Sequence, residues 1–408
     1  MRLNPSPSPL TTLAAHPALI CLSHLRWKFV FQRPQHLMSR YAKRQLVYFV
    51  EEPILDDIDV PDFGIEDHDG VHVVVPRAPR HYSAAELIAC QRSTLNALIA
   101  SHRLSRFVLW YYTPLALKFS EHLSPDAVVY DCMDELSAFK HAAAELPALE
   151  RSLLEKANLV LTGGQSLYEA KKNQHANIHA MPSSVDVAHF AKARQAILDP
   201  VDQASLPRPR LGFFGVLDER LDIPLLAGLA EARPDWQLVM IGPVVKIDPA
   251  ELPTHPNIHY LGAKTYDELP AYVAGWDVAL LLFARNEATR FISPTKTPEY
   301  LAAGKPVVST SIRDVVSPYG DRDLVHIADA VPDFVRACER ALSEPPEPRR
   351  VRADVFLRGT SWDRTWAKTA ALLANVLEPV TIETPGTAVR SHPLPSPAMG
   401  LGVRGDRV

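Results

Sequence analysis

The sequence predicts an α/β protein made of two doubly wound parallel sheets that face each other across a cleft. Short apolar runs of strand type alternate with helical segments along most of the chain, a pattern typical of parallel sheets. The alternation lapses between residues 189 and 209, where several prolines lie, and then starts again. Because open α/β sheets bind ligands at the carboxyl ends of their strands, two facing sheets place a binding site between them.

The composition is that of a globular protein with no nucleic-acid-binding character. The chain has 408 residues, enough for two full cores, with 47% hydrophobic residues, 22% charged residues and a formal net charge of −4. No run reaches the length of a membrane span, and the first residues lack the apolar core of a signal peptide. The four cysteines lie far apart, which predicts reduced, mostly buried thiols rather than a zinc site or a disulfide framework.

In the first half of the chain, strands and helices alternate from residue 18 onward. The apolar runs that predict strands lie at 18–22, 46–50, 71–75, 107–112, 127–130, 159–162 and 178–181. The predicted helices lie at 34–43, 84–101 and 148–157, with a short one after Ser166. Residues 1–15 are rich in proline and serine, which predicts a flexible terminus.

The second half repeats this alternation. The predicted strands lie at 211–214, 237–241, 258–261, 278–283 and 306–310. The predicted helices are one capped by Asp222 that runs to Ala232, and two more at 266–274 and 331–342. Apolar and aromatic residues between Trp362 and Leu377 fall on one face of a final helix. Residues 379–408 are polar and rich in proline, glycine and serine, and we expect them to be disordered.

One stretch, FISPTKTPEYLAAGKPVVST at 291–310, places a cation and a carboxylate at the mouth of a short helix. Thr297 can cap this helix and Gly304 can end it. Lys296 and the helix N-terminus together would attract a phosphate, while Glu299 could accept two hydrogen bonds from a vicinal diol. A diphosphate and a diol describe a nucleotide sugar. An ordinary explanation stays open, because glutamate in a first turn and exposed lysine are both common.

The pattern PTKTPEYLAAGKPVV resembles the nucleotide-sugar segment of the GT-B glycosyltransferases, in particular the retaining group 1 or family 4 enzymes. Similar segments extend over residues 18–377 and read SHLRWKFVFQRPQHLMSR, VVYDCMDELSAF, MPSSVDVAHF, GFFGVLDERLD, RPDWQLVMIGP and WDVALLLFARN. Together they are similar to a bacterial surface-polysaccharide subgroup that includes teichuronic-acid-type enzymes. The resemblance implies the GT-B fold, with a Rossmann-like acceptor domain at 16–195, a nucleotide-sugar domain at 196–355 and a helix at 356–378 that packs back on the first domain.

By the same resemblance, we expect a retaining, metal-independent glycosyltransferase of hexosyltransferase type. It would use a nucleotide-diphosphate sugar as donor substrate, need no cofactor, and act in the cytoplasm on a saccharide or lipid-linked acceptor that could bring it to the inner face of the membrane. Glu299 would hold the donor ribose. Many relatives carry a second glutamate where Phe291 stands, and an arginine where Val216 stands. These departures keep two alternatives open: a nucleotide-sugar epimerase of the same fold, and a catalytically silent binding protein.

Further candidates for the phosphate side lie near the first strand of the second half. Gly215 ends that strand, where a side chain would block the approach of a diphosphate to the backbone, although a tight turn would require glycine as well. Arg220 and Arg290 are candidate cations. Asp218 and Glu219 could oppose metal independence by holding Mg²⁺, but their position beside Arg220 favours a solvated turn.

Candidates for the acceptor side come from the first half. Asp131 and Asp134 follow a strand, and both are candidates to orient or deprotonate the acceptor hydroxyl. We expect Asp134 to do so, with Asp131 as a structural residue at the strand end. Either could instead cap the next helix. Arg33 and His36 lie where the first helix begins and could meet an acceptor phosphate or a product oxyanion, and a histidine on the helix surface is the alternative for His36.

Overall fold

The computed structural model describes residues 16–378, and within this range nine strands form one sheet and six form another. Both sheets lie in one compact unit. The predicted flexible terminus at 1–15 and the predicted disordered tail at 379–408 lie outside the described residues. The predicted α/β class with two doubly wound sheets is confirmed.

The first domain contains the larger sheet. Its strands are β1 (Ala18–Leu22), β2 (Val47–Val50), β3 (Ile54–Asp56), β4 (Asp62–His68), β5 (Val71–Pro79), β6 (Phe107–Tyr111), β7 (Ala127–Cys132), β8 (Leu159–Thr162) and β9 (Ile178–Ala180). Its helices are α1 (Arg33–Tyr41), α2 (Ala84–Ser101), α3 (Leu117–Ser120), α4 (Leu146–Lys156) and α5 (Gln165–Lys171). The strand order is β3-β5-β2-β1-β6-β7-β8-β9, and β4 pairs antiparallel with β5.

The second domain contains the six-stranded parallel sheet. Its strands are β10 (Arg210–Phe214), β11 (Gln237–Ile241), β12 (Ile258–Tyr260), β13 (Val278–Leu281), β14 (Val307–Ser309) and β15 (His326–Ile327), in the order β12-β11-β10-β13-β14-β15. Its helices are α6 (Val187–Ala191), α7 (Val201–Ala204), α8 (Ile223–Ala232), α9 (Leu269–Ala274), α10 (Lys296–Ala302), α11 (Arg313–Val316), α12 (Val331–Ser343) and α13 (Pro346–Leu357). The predicted cap of α8 is present, since the Asp222 side chain accepts the Leu225 N–H at 2.9 Å.

The last helix, α14 (Trp362–Leu377), returns to the first domain. It contacts α1 and β8, and its Trp362 is buried in the core beneath the first sheet. Across the α1 contact, Arg40 donates to Asp363 at 2.6 Å. The apolar face that the sequence showed between Trp362 and Leu377 is therefore the face that packs on the first domain.

The sequence did not predict β3, β4 and α13, nor the two-residue strand β15 and the short helices α3, α6, α7 and α11. Strand β4 (DFGIEDH) lies at the edge of the sheet with most of its residues exposed, so it lacks the apolar run of a buried strand. Helix α13 begins in a proline-rich stretch, and proline is tolerated in a first turn because its missing N–H would have no partner there. All four cysteines are buried and free, as predicted.

Two carboxylates of the second domain hold backbone N–H groups of the first. Asp314 accepts the Ser166 N–H at 2.9 Å, at the start of α5. The backbone N–H of Lys140 donates to both carboxylate oxygens of Glu219, at 3.0 Å each. These hydrogen bonds fix the two sheet edges opposite each other.

Among the helices of residues 16–378, none combines the length and the apolar character that a membrane span requires.

Candidate functional site

A cleft opens between the carboxyl ends of the two sheets. It encloses about 1210 Å³, open solvent at its mouth included. The first domain contributes the loop before α1 and the residues that follow β7 and β8, and the second domain contributes the residues that follow β10 and β11 together with the start of α10. This is where the sequence analysis placed a ligand.

Gly215 brings the backbone of the second domain close to a lysine. Its φ is +139°, a conformation that residues with a side chain rarely adopt. A Cβ atom at this position would also collide with the Cε and Nζ atoms of Lys296. The φ value supports the tight-turn explanation weighed from the sequence, whereas the approach of a diphosphate to this backbone stays a prediction.

Helix α10 begins two residues earlier than predicted. Thr295 is its N-cap residue and Lys296 its first helical residue, while Thr297 is fully buried inside the first turn. The prediction that Thr297 caps the helix is therefore wrong. The Glu299 N–H already donates to the Thr295 carbonyl at 3.3 Å, so the helical hydrogen bonds start before Thr297. The shift leaves Lys296 and Glu299 on the same turn, both lining the cleft.

The Lys296 and Glu299 pair is poorly solvated. Burial raises the pKa of the Glu299 carboxyl above its usual range, and the nearby Lys296 opposes the shift only in part. Burial lowers the pKa of Lys296, and the positive charge of Arg220 lowers it further. In the part of the chain that the structure describes, no hydrogen bond ends on the Glu299 carboxylate oxygens. The carboxylate is thus free to accept hydrogen bonds from a ligand.

Arg220 is held at the cleft by its neighbour Asp218. The guanidinium donates to both Asp218 oxygens, with Nη2–Oδ2 at 2.7 Å and Nε–Oδ1 at 3.0 Å. Asp218 and Glu219 are 4% and 9% exposed, so the predicted solvated turn is wrong. Asp218 positions Arg220, and Glu219 binds the Lys140 backbone. Among residues 16–378, no cluster of histidine, cysteine, aspartate or glutamate has the arrangement of a metal site.

The two aspartates after β7 have different environments. Asp131 is fully buried and accepts from the Arg33 Nε at 3.0 Å, and Arg33 also donates to the Met181 carbonyl at 2.7 Å. As predicted, Asp131 is a structural residue at the strand end, and the proposed alternative role in the acceptor site is wrong for it. Asp134 lines the cleft, and burial raises the pKa of its carboxyl while Arg220 opposes the shift. A carboxylate with a raised pKa is a better proton acceptor.

The structure changes the interpretation of three other candidates. Arg33 lines the cleft, but its guanidinium is paired with Asp131, which leaves it little capacity to bind an acceptor phosphate. His36 is buried and stacks on Trp362 with the ring centroids 4.5 Å apart, so it is neither an acceptor ligand nor a surface histidine. Arg290 is exposed and pairs with Glu287 at 3.4 Å, away from the residues that line the cleft.

Tyr266 is a cleft residue that the sequence analysis missed. Its ring stacks on His189, with centroids 4.1 Å apart, and on Phe31 of the first domain at 4.6 Å. Its hydroxyl is buried without a hydrogen-bond partner among the described residues. Burial raises the pKa of this hydroxyl, and the negative charge of Glu299 raises it further. No local motif marks Tyr266, because its neighbours come from distant parts of the chain.

One family model matches part of the second domain. Residues 208–344 match the family model described as glycosyl transferases group 1. Over 275 residues, the chain is 27% identical to TuaH of Bacillus subtilis (strain 168). The name of that protein describes a glycosyltransferase of teichuronic acid biosynthesis. The matched region covers 60% of this chain and 66% of TuaH. The chain thus spans slightly under two thirds of the length of that relative.

Solved structures share the fold at low identity. Sucrose-phosphate synthase from Thermosynechococcus elongatus superposes with a TM-score of 0.68 at 14% identity, over 88% of this chain and 99% of that one. A Burkholderia xenovorans UDP-forming trehalose-phosphate synthase in complex with glucose-6-phosphate gives 0.59 at 14% identity, over 89% and 100%. Anabaena HepE in complex with UDP and glucose gives 0.58 at 13% identity, over 88% and 100%. These likenesses confirm the GT-B fold.

Proposed function

We propose that this chain is a GT-B-fold member of the group 1 glycosyltransferases and that it transfers a sugar from a nucleotide-diphosphate donor to an acceptor hydroxyl. One observation carries the proposal. Lys296 lies against the Gly215 backbone at a helix mouth, and Glu299 lies on the same turn with its oxygens free of hydrogen bonds from the described residues. A cation and a diol acceptor at this spacing match the two polar parts of a nucleotide sugar.

The leaving diphosphate would be stabilised by charges that the protein already holds in place. Lys296 lies between the rings of Phe213 and Phe283, with its Nζ 5.5 and 5.8 Å from their centroids. Arg220 is fixed by Asp218 and takes the part of the arginine that relatives carry at the Val216 position. Charges fixed in a desolvated cleft can stabilise the charge that develops in the transition state without reorganising. We propose that they replace a divalent metal, and that the reaction retains the anomeric configuration.

The acceptor would enter from the first domain. We assign Asp134 to orient the acceptor hydroxyl or accept its proton, because its carboxylate lines the cleft opposite the donor-binding turn. Among the described residues it has no side-chain hydrogen bond that would have to break first. The similarity to TuaH favours an acceptor in surface polysaccharide assembly, either a saccharide or a lipid-linked one. An acceptor carried by the membrane would bring the protein to the inner membrane face.

A binding and turnover experiment tests the proposal. Calorimetry against uridine, guanosine and adenosine diphosphates should find one that binds to the wild type and binds more weakly to Glu299→Ala. Glu287→Ala provides the control, because this exposed glutamate lies in the same segment outside the cleft. Release of nucleotide from the matching sugar donor should then require an acceptor. Conversion of the donor sugar without acceptor would instead identify an epimerase, and nucleotide binding without turnover over a broad acceptor panel a silent binding protein.

A further inference from the structure

A second cavity opens on the carboxyl edge of the first sheet. It encloses about 770 Å³, open solvent at its mouth included. Its lining comes from the residues that follow β1, β2 and β6 and from the first two turns of α2. The cations and the carboxylates assigned to glycosyl transfer all lie in the other cleft, so this cavity has no part in the chemistry described above.

The second cavity is lined by apolar side chains and by neutral hydrogen-bonding groups. Its apolar residues include Val50, Leu87, Ile88, Leu115 and Phe119. Ser23, Thr113 and Gln91 add hydroxyl and amide groups. A sugar ring has apolar C–H faces and a polar hydroxyl edge, so it matches a pocket in which a few polar groups interrupt an apolar lining.

The charges around this cavity disfavour an anion. Three glutamates and one lysine line it. Lys118 forms an ion pair with Glu145, and Arg26 forms one with Glu51, with Nη1 and Oε2 2.9 Å apart. Glu52 is left without an ion pair among the described residues. A phosphate placed here would face this carboxylate, whereas an amino group would be attracted to it.

The second cavity is a neighbour of the cleft along the sheet. It lies at the ends of β1, β2 and β6, and the cleft includes the residues after β7 and β8, with β6 and β7 paired directly. At about 4.8 Å between neighbouring strands, the ends of β1 and β8 are separated by three steps, or about 14 Å. A single sugar ring is too short to span this separation, whereas a chain of linked sugars is long enough.

We propose that the second cavity binds the part of the acceptor remote from the reacting hydroxyl, and that this part is an uncharged or amino-bearing saccharide unit. The inference rests on the proposed glycosyl transfer, because it takes the reacting hydroxyl to lie beside Asp134. It assigns the enzyme an oligosaccharide acceptor rather than a monosaccharide phosphate. The apolar side chains hold the ring face, and Glu52 selects against anionic units.

Two tryptophan substitutions on α2 separate this role from a general effect on the fold. Ala84 is exposed and lines the cavity, so Ala84→Trp should fill the cavity from its rim without disturbing the core. Ala85 is exposed on the same helix but does not line the cavity, so Ala85→Trp is the matched control. Binding of maltotriose, N-acetylchitotriose, chitosan trisaccharide and glucose 6-phosphate would be measured by saturation-transfer NMR and calorimetry, with the bound nucleotide diphosphate present.

We expect at least one trisaccharide to bind the wild type, and to bind Ala84→Trp at least about tenfold more weakly, or about 1.4 kcal/mol. Ala85→Trp should bind it like the wild type, glucose 6-phosphate should not compete, and both variants should keep wild-type nucleotide affinity. Failure of every trisaccharide to bind, or equal binding by Ala84→Trp and the wild type, overturns the inference. Nucleotide binding measured on the same samples reports separately on the proposed function, since it depends on Glu299.

Discussion

Replacing Glu299 separates a ligand-binding carboxylate from a structural one. In Glu299→Ala, the donor loses a charge-assisted contact worth roughly 1.5–3 kcal/mol, so the dissociation constant should rise by about ten- to 150-fold. The side chain is 5% exposed, and no hydrogen bond from the described residues ends on its carboxylate. The fold therefore gains nothing from the charge. Isothermal calorimetry gives the affinity and thermal unfolding the stability.

The pKa of Glu299 adds a second, independent readout. Burial raises this pKa in the folded protein, so the protonated carboxyl is favoured by folding and the charged form is not. Its contribution to the free energy of unfolding is therefore fully present below the unfolded pKa of about 4.3 and is lost as the pH rises through the raised folded value. The isosteric Glu299→Gln should then match the wild type in acid and exceed it in stability at alkaline pH, without nucleotide. If Glu299→Ala keeps the nucleotide affinity of the wild type while its melting temperature collapses, the assignment of Glu299 as a ligand-binding carboxylate is refuted.

Four further predictions concern the rest of the cleft. Lys296→Ala should lower the transfer rate at least about tenfold, or about 1.4 kcal/mol of transition-state stabilisation. Transfer should persist in excess EDTA, because cations of the protein are proposed to neutralise the diphosphate. Asp134→Asn should lower the transfer rate far more than donor affinity, since it acts on the acceptor side. Tyr266→Phe should weaken nucleotide binding by about 0.5–1.5 kcal/mol, the usual net value of one hydrogen bond, while the ring stack with Phe31 is kept.

The prediction for Lys296 has a control variant in the same structure, and each of the other three has an outcome that would contradict it. Lys305→Ala removes a lysine that is bonded to the Ala274 and Trp276 carbonyls outside the cleft, so it should affect stability rather than the transfer rate. Loss of activity in EDTA that Mg²⁺ restores would overturn the metal-free mechanism. Weaker donor binding in Asp134→Asn with an unchanged rate at saturation would remove Asp134 from the acceptor site. If Tyr266→Phe binds nucleotide like the wild type, the hydroxyl has no role in donor recognition.

Local patterns were sufficient where neighbours in the chain determine the geometry. The alternation of strands and helices follows from hydrophobic burial on a parallel sheet, so most strands lie where their apolar runs predict them. The same holds for Lys296 and Glu299, which are three residues apart and therefore fall on one turn of whichever helix contains them. The prediction of α10 could miss its first two residues and still bring the two side chains together.

The tertiary structure alone decided which charged groups remain available to a ligand. Asp131 and Asp134 looked alike in the sequence, but Asp131 pairs with Arg33, which lies 98 residues away, so neither of these two charges is left for a ligand. Asp218 and Glu219 were predicted to lie in a solvated turn, but Asp218 pairs with Arg220, two residues away, and Glu219 accepts the backbone N–H of Lys140 in the first domain. A buried charge needs a partner, and for Asp131 and Glu219 that partner comes from a distant segment that the fold brings near. Sequence spacing therefore determined the local donor-binding turn, whereas packing between distant segments determined its surroundings.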